Sequence, residues 1–252
     1  MPRAAREKSS TGIYHVMLRG SNHKILFEDN EDYQKYLETI KTFQEKSGYA
    51  IYAYCLMSNH IHLLIKEVTE DLGIVFRRLG ASYVHWYNRK YSRRGHLFQD
   101  RYKSEMVETD SYFLTVLRYI HQNPYKAGMV KNIADYPWSS YGEYVGEPRI
   151  CDVEFGYNLF STNRVKAVKL FKEFNLAENQ DRCLDYDPGV RLNDTEASNF
   201  IRSISGVQSP TEIALLEKGK RNEVIKKCKA KGLSIRQIER LTGISFGVIR
   251  TI

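Results

Sequence analysis

Residues 49–67 read YAIYAYCLMSNHIHLLIKE. Two runs rich in aliphatic and aromatic residues flank Ser58 and Asn59, the pattern of two strands joined by a tight turn. In the second run a period of two puts His60 and His62 on one face and Ile61, Leu63 and Ile65 on the other. The aliphatic side chains can then pack on helices while the imidazoles project from an open face. Imidazoles within an apolar run need hydrogen-bond partners or a ligand. The spacing suits metal ligation, although a lone HxH is a weak signal.

On either side of this hairpin the punctuation sets the order of elements. GIYHVMLRG alternates as a strand and ends at Gly20, and NEDYQKYLETIKTFQEKSG opens with acids and closes on Gly48 as a helix does. After the hairpin come a long amphipathic helix from Leu72 to Lys90, a strand YKSEMVE, and a helix DSYFLTVLRYIHQN that Pro124 is expected to stop. Strand, helix, two strands, helix, strand predicts an α+β protein with a ferredoxin-like split βαβ antiparallel sheet, followed by an α-helical C-terminal region. Helices on one face would leave the other free for a ligand.

At 252 residues the chain can bury one sizeable core and a smaller appendage. It contains no apolar run of membrane-spanning length and no secretory signal, so a cytoplasmic, nucleoid-associated location and no membrane partner are expected. The four cysteines are scattered, which argues for reduced thiols rather than a zinc module or a disulfide scaffold. A net charge of +8 points to a polyanionic partner. Between Arg77 and Lys103 eight Lys/Arg face the single acid Asp100, which concentrates that charge in one segment.

On the helix after the last strand, Phe113, Val116, Leu117 and Ile120 form an apolar stripe, beside which Tyr112, Tyr119 and Asn123 align. Tyr119 and Asn123 are one turn apart. A phenol close to a divalent cation can serve as a phosphoryl nucleophile, and an amide oxygen can join two histidines in a cation site. On helix geometry alone, an ordinary tyrosine at a core edge is the simpler reading.

The motifs YHVMLRGSNHKILF, MSNHIHLLI, GHLFQDRYKSEMV, LRYIHQNPYKAGMV and YPWSSY, in that order over roughly residues 11 to 145, resemble the REP-associated tyrosine transposases and related single-tyrosine insertion-sequence transposases of the HUH superfamily. The resemblance implies that His60 and His62 are metal ligands, that Tyr119 is the nucleophile, and that Asn123 is the polar ligand one turn beyond it. Many relatives have Gln at that last place, which leaves Gln122 as the fallback. The implied activity is a metal-dependent single-stranded DNA endonuclease and strand transferase using Mg²⁺ or Mn²⁺. It would act on hairpin-forming DNA through a 5′-phosphotyrosine intermediate. The competing function is a non-catalytic, domesticated DNA-binding regulator. Monomer and homodimer are both compatible with the sequence.

Arg77, Arg78, Arg89, Arg93, Arg94, Arg101 and Lys103 are the expected phosphate track, with Tyr83, Trp86 and Tyr87 as rings for base stacking or, alternatively, as the buried face of the long helix. Arg19 and Asn22, at the end of the first strand, are further candidates. The expected domains are 1–148 for catalysis, 149–208 as a partly helical connector, and 209–252 as a helix-turn-helix-like DNA-binding region. In the last of these Ser234 and Ser245 cap two short helices, and Arg236, Arg240 and Arg250 supply positive charge. A small helical dimerisation unit is the alternative for this region.

Overall fold

Strands β1 (Ile13–Arg19), β2 (Ala50–Met57), β3 (His60–Lys66) and β4 (Lys103–Met106) pair in the order β2-β3-β1-β4, antiparallel throughout. Helix α1 (Asn30–Ser47) links β1 to β2 and α2 (Leu72–Lys90) links β3 to β4. This is the split βαβ arrangement expected from the sequence. The computed structural model describes residues 7–185 and 192–252, with nothing stated for the side chain of residue 23. The chain divides into two compact units at the 186/187 junction.

The acids that open α1 make a capping box, in which Asp29 accepts from the Asp32 amide and Asp32 answers the Asp29 amide. Lys90, at the end of α2, holds both carboxylates at 2.8 Å. Tyr83 and Tyr87 are buried and donate their hydroxyls to the carbonyls of Leu26 and Ile25, at 2.6 and 3.3 Å. They are therefore core residues and offer no face to a base. Trp86 is half-buried beneath the Lys90 ammonium.

The sheet face expected to be open is covered. Helix α3 (Asp110–Lys126) lies on it, with α4 (Tyr141–Val145), α5 (Val153–Asn158) and α6 (Arg164–Leu176) beyond. Pro124 does not stop α3, because in the last turn it removes only its own hydrogen bond, and the helix runs on to Lys126. Phe171 of α6 stacks on Tyr144 at 4.6 Å, and burial of a side chain of that size contributes roughly 1.5–3 kcal/mol. The buried carboxylate of Glu143 accepts from the amides of Arg149, Ile150 and Cys151 and from the Tyr54 hydroxyl. Residues 149–185 thus belong to the first unit, and the boundary expected at 148 moves to 186/187 because buried polar contacts hold this stretch.

The second unit contains α7 (Asp194–Ser205), α8 (Lys218–Ala230), α9 (Ile235–Thr242) and α10 (Phe246–Thr251). Helix α7 falls inside the expected 149–208 connector, so that segment is split between the units. Residues 186–191, within its Gly/Pro-containing stretch, lie outside the described residues. Ser234 caps α9 by accepting from the Gln237 amide at 3.1 Å, and Gly243 takes the left-handed turn at φ 73°. Ser245 makes no side-chain cap on α10; the carboxylate of Glu239 accepts from the Phe246 amide instead. Of the five residues whose spacing predicts an interior, Ile238, Ile244 and Ile249 are buried, whereas Ile235 and Leu241 are half-buried.

Candidate metal and nucleophile site

Strand register and helix period bring four sequence-predicted residues together. His60 and His62 project from β3 toward α3, where Tyr119 and Asn123 meet them. The Tyr119 and His62 ring centroids are 5.7 Å apart, and Asn123 Nδ2 lies 3.4 Å from His62 Nε2. The Asn123 amide also engages His60 and Tyr119. As placed, Asn123 turns its NH₂ toward His62, so ligation through its oxygen requires the amide to flip. Gln122, the fallback, is committed elsewhere: it donates to the carbonyls of Asn175 and Ala177 and accepts from Asn179.

Asp185, which sequence reasoning missed, completes the cluster. The Tyr119 hydroxyl donates to its Oδ2 at 2.5 Å. One ligand atom each from His60, His62 and Asp185 lie within 4.8 Å of one another. Two imidazole nitrogens and a carboxylate oxygen form a donor set that fits a divalent cation. Burial drives the His60 pKa down to about 4, with Arg19 acting in the same sense and Asp185 opposing. Burial, then the neighbouring His60 and His15, holds His62 well below its ordinary value. Both rings are thus neutral at pH 7 and keep a lone pair for a metal. Burial, followed by the Asp185 carboxylate, raises the Tyr119 phenol well above its usual range.

His15 is the second residue missed. It lies on the same face of β1, fully buried, with Nε2 3.0 Å from His62 Nδ1. The signal was present, since period two in YHVMLRG puts His15 on the face of Met17 and Arg19.

The expected phosphate-binding residues divide by face. Arg19 pairs in register with His60, and Lys103 with Met17, so both stand on the histidine side. Arg77, Arg78 and Arg89 are exposed on α2, whose Phe76 and Val84 line a groove with Leu18 on the opposite face of the sheet. Arg78 is paired with Glu70 at 2.6 Å, and Arg93 lies over the Tyr87 ring. Arg94 and Arg101 are exposed in the loop before β4, and Asn22 is exposed with a left-handed φ of 51°. In the second unit Arg236 and Arg250 are exposed, while Arg240 is ion-paired with Asp194.

Residues 8–123 match the family described as "Transposase IS200 like". A REP-associated tyrosine transposase of Escherichia coli is 23% identical over 136 residues, covering 53% of this chain and 78% of that protein. A Haemophilus influenzae protein provisionally given the same name is 28% identical over 100 residues, covering 35% of this chain. The chain spans only 57% of that relative's length. In fold, the chain is similar to a REP-associated tyrosine transposase solved in complex with a REP hairpin, with a TM-score of 0.52 at 19% identity over 58% of this chain and 87% of the other. His60, His62, Tyr119 and Asn123 fall within the matched residues 8–123, and Asp185 lies beyond them.

Proposed function

We propose that this chain, which carries an IS200-like transposase domain over residues 8–123, is a metal-dependent single-stranded DNA endonuclease and strand transferase acting on hairpin-forming DNA. The observation that carries the reading is the convergence of the Tyr119 hydroxyl with the ligand atoms of His60, His62 and Asp185. A pure DNA-binding regulator has no use for a neutral histidine pair, a carboxylate and a phenol at one point.

His60 and His62 would hold a Mg²⁺ or Mn²⁺ ion, with Asp185 or the flipped Asn123 amide as the oxygen ligand. A bound divalent ion supplies Lewis-acid stabilisation of charge on the scissile phosphate. Tyr119 Oη forms a bond to phosphorus while the bond from phosphorus to O3′ breaks. The phenol proton passes to the Asp185 carboxylate, and the departing O3′ takes a proton from water. The products are a 5′-phosphotyrosine and a free 3′-OH, and attack by a second 3′-OH reverses the step and joins new ends without ATP. Arg19 and Lys103, on the histidine face, would neutralise nearby phosphates; the α2 arginines, on the other side of the sheet, and those of α9 and α10 in the second unit would add further phosphate contacts. The single-stranded hairpin as substrate and the cytoplasmic, nucleoid-associated location belong to the same proposal.

The decisive experiment incubates the protein with a single-stranded hairpin oligonucleotide and Mn²⁺ and looks for a covalent protein–DNA band. Tyr119→Phe should abolish the band yet keep hairpin affinity, because only the hydroxyl is lost. A band that persists in that variant overturns the assignment. Hairpin binding without any band in the unmodified chain supports the regulator.

A further inference from the structure

We infer that His15 is a positioning residue that fixes the tautomer of His62 through a relay running from the half-exposed Glu105 carboxylate through the buried His15 to the buried His62. The inference rests on the metal-site reading above and deepens it.

The two candidate ligands have their outer nitrogens engaged in different ways. His60 Nδ1 is 2.8 Å from Asn59 Oδ1, which can only accept, so His60 carries its proton on Nδ1 and keeps the Nε2 lone pair. His62 Nδ1 meets another imidazole, His15 Nε2, at 3.0 Å, and two neutral histidines can share that proton in either sense. One sense leaves His62 Nε2 as a lone pair. The other places a proton on Nε2 and removes His62 as a ligand.

The far side of His15 decides between them. His15 Nδ1 is buried with no hydrogen-bond partner, and Glu105 Oε2, which accepts from the Leu184 amide, lies 3.9 Å away. If His15 donated to His62, its Nδ1 lone pair would face that carboxylate, which is repulsive. If His15 accepts, an N–H points at the carboxylate, which is attractive. The charge of Glu105 therefore favours a proton on Nδ1 of both rings. It also agrees with the Asn123 NH₂ group facing His62 Nε2, which needs an acceptor there. Carboxylate to histidine to ligand is the general way in which an outer partner orients a metal-binding imidazole. Here a second histidine extends the chain by one link.

The test begins without metal or activity. In the full chain with ¹⁵N-labelled histidine, metal-free at pH 7, long-range proton–nitrogen spectra should show His15 and His62 both protonated on Nδ1. A proton on His62 Nε2 overturns the inference. Calorimetry with Mn²⁺ then separates orientation from packing. His15→Phe fills the space but cannot accept, and should weaken Mn²⁺ binding by roughly 10- to 100-fold. His15→Gln restores an acceptor and should bind within about threefold of the unmodified chain. Thermal melting confirms that each variant is folded, and Glu105→Gln reports the link to the carboxylate by the tautomer spectrum alone. Equal losses in the Phe and Gln variants, or no loss in either while His62→Ala binds poorly, overturn the relay and leave the metal reading standing. Unchanged Mn²⁺ binding in His62→Ala overturns the metal reading, and the metal-free tautomers still decide the relay.

Discussion

Tyr119 and Asp185 stand 66 positions apart in sequence and share a hydrogen bond of 2.5 Å. Two further contacts pin the segment that brings Asp185 there: Arg118 of α3 pairs with Asp181 at 2.8 Å, and Glu105 of β4 accepts from the Leu184 amide at 3.0 Å. The carboxylate is thus held by anchors on both neighbouring elements. If it accepts the proton of the attacking phenol, Asp185→Asn should keep hairpin affinity and slow adduct formation by about 100-fold or more in single-turnover gels. Faster adduct formation in that variant would show that the carboxylate obstructs the nucleophile.

Arg19 and Lys103 stand on the histidine face, where a phosphate would meet the candidate site, and this position gives them the greater expected weight in DNA binding. Arg19→Ala and Lys103→Ala, on the histidine face, should each lower the slope of log K against log salt by about one. Arg78 and Arg240 already hold Glu70 and Asp194, so alanine there should change the slope by less. Equal slopes for all four variants in salt-dependent binding measurements would refute the division.

The difference between what the sequence revealed and what it hid follows the range of the contacts. His60 and His62 are two apart on a strand and Tyr119 and Asn123 four apart on a helix, so local periodicity alone places each pair on one face. Strand order also followed from the sequence of elements, since a split βαβ unit leaves few topologies. Asp185 lies in a stretch with no period, carried back by an ion pair and a backbone contact that no local pattern encodes. His15 was legible and overlooked, because one polar residue in an otherwise apolar strand is lost when only alternation is counted. The covered sheet face was missed for a different reason: the pattern of α3 was legible, but which face of the sheet that helix covers, with Phe113 against Tyr52 and Tyr119 against His62, is a tertiary fact.

Glu143 illustrates what a tertiary contact is worth. Its carboxylate takes three backbone amides and the Tyr54 hydroxyl, and alanine would leave those four donors without it, of which the Cys151 amide and the Tyr54 hydroxyl are buried. Glu143→Ala should destabilise the first unit by about 2–5 kcal/mol in urea titrations, with hairpin binding preserved in the folded fraction. A loss below about 1 kcal/mol would mean that water replaces the carboxylate.

His121 sets a pH dependence of stability away from the site. It is fully buried between Ser140 Oγ at 2.9 Å and Asn175 Oδ1 at 3.2 Å, and burial lowers its pKa to about 3, with Asn175 opposing. The unfolded chain takes up this proton near pH 6.5 and the folded one not until about pH 3. Its contribution is therefore full above pH 6.5 and lost as the pH falls toward 3, by up to about 1.4 kcal/mol per pH unit. Urea unfolding between pH 7.5 and 5 should show stability falling with acid, and His121→Gln should flatten the curve by one proton's worth. An unchanged curve would show that His121 contributes no proton of its own to the acid loss of stability that the buried His60 and His62 share.

A chain cut near residue 148 and one cut at 185 distinguish the sequence-based boundary from the structural one. The shorter chain keeps His60, His62, Tyr119 and Asn123, which on sequence grounds suffices for nicking a hairpin. It loses Asp185, the amides that Glu143 holds, the α6 carbonyl that binds Gln122, and the Phe171 ring against Tyr144. Each of these acts on the first unit, and three of them leave buried polar or apolar groups uncovered. The chain ending at 185 should fold with an unchanged melting temperature for the first unit and form the covalent adduct, whereas the chain ending at 148 should melt well below it and form little or none. Full activity of the shorter chain would show that α5, α6 and Asp185 are dispensable and that the catalytic unit ends where β2, α3 and α4 close on one another.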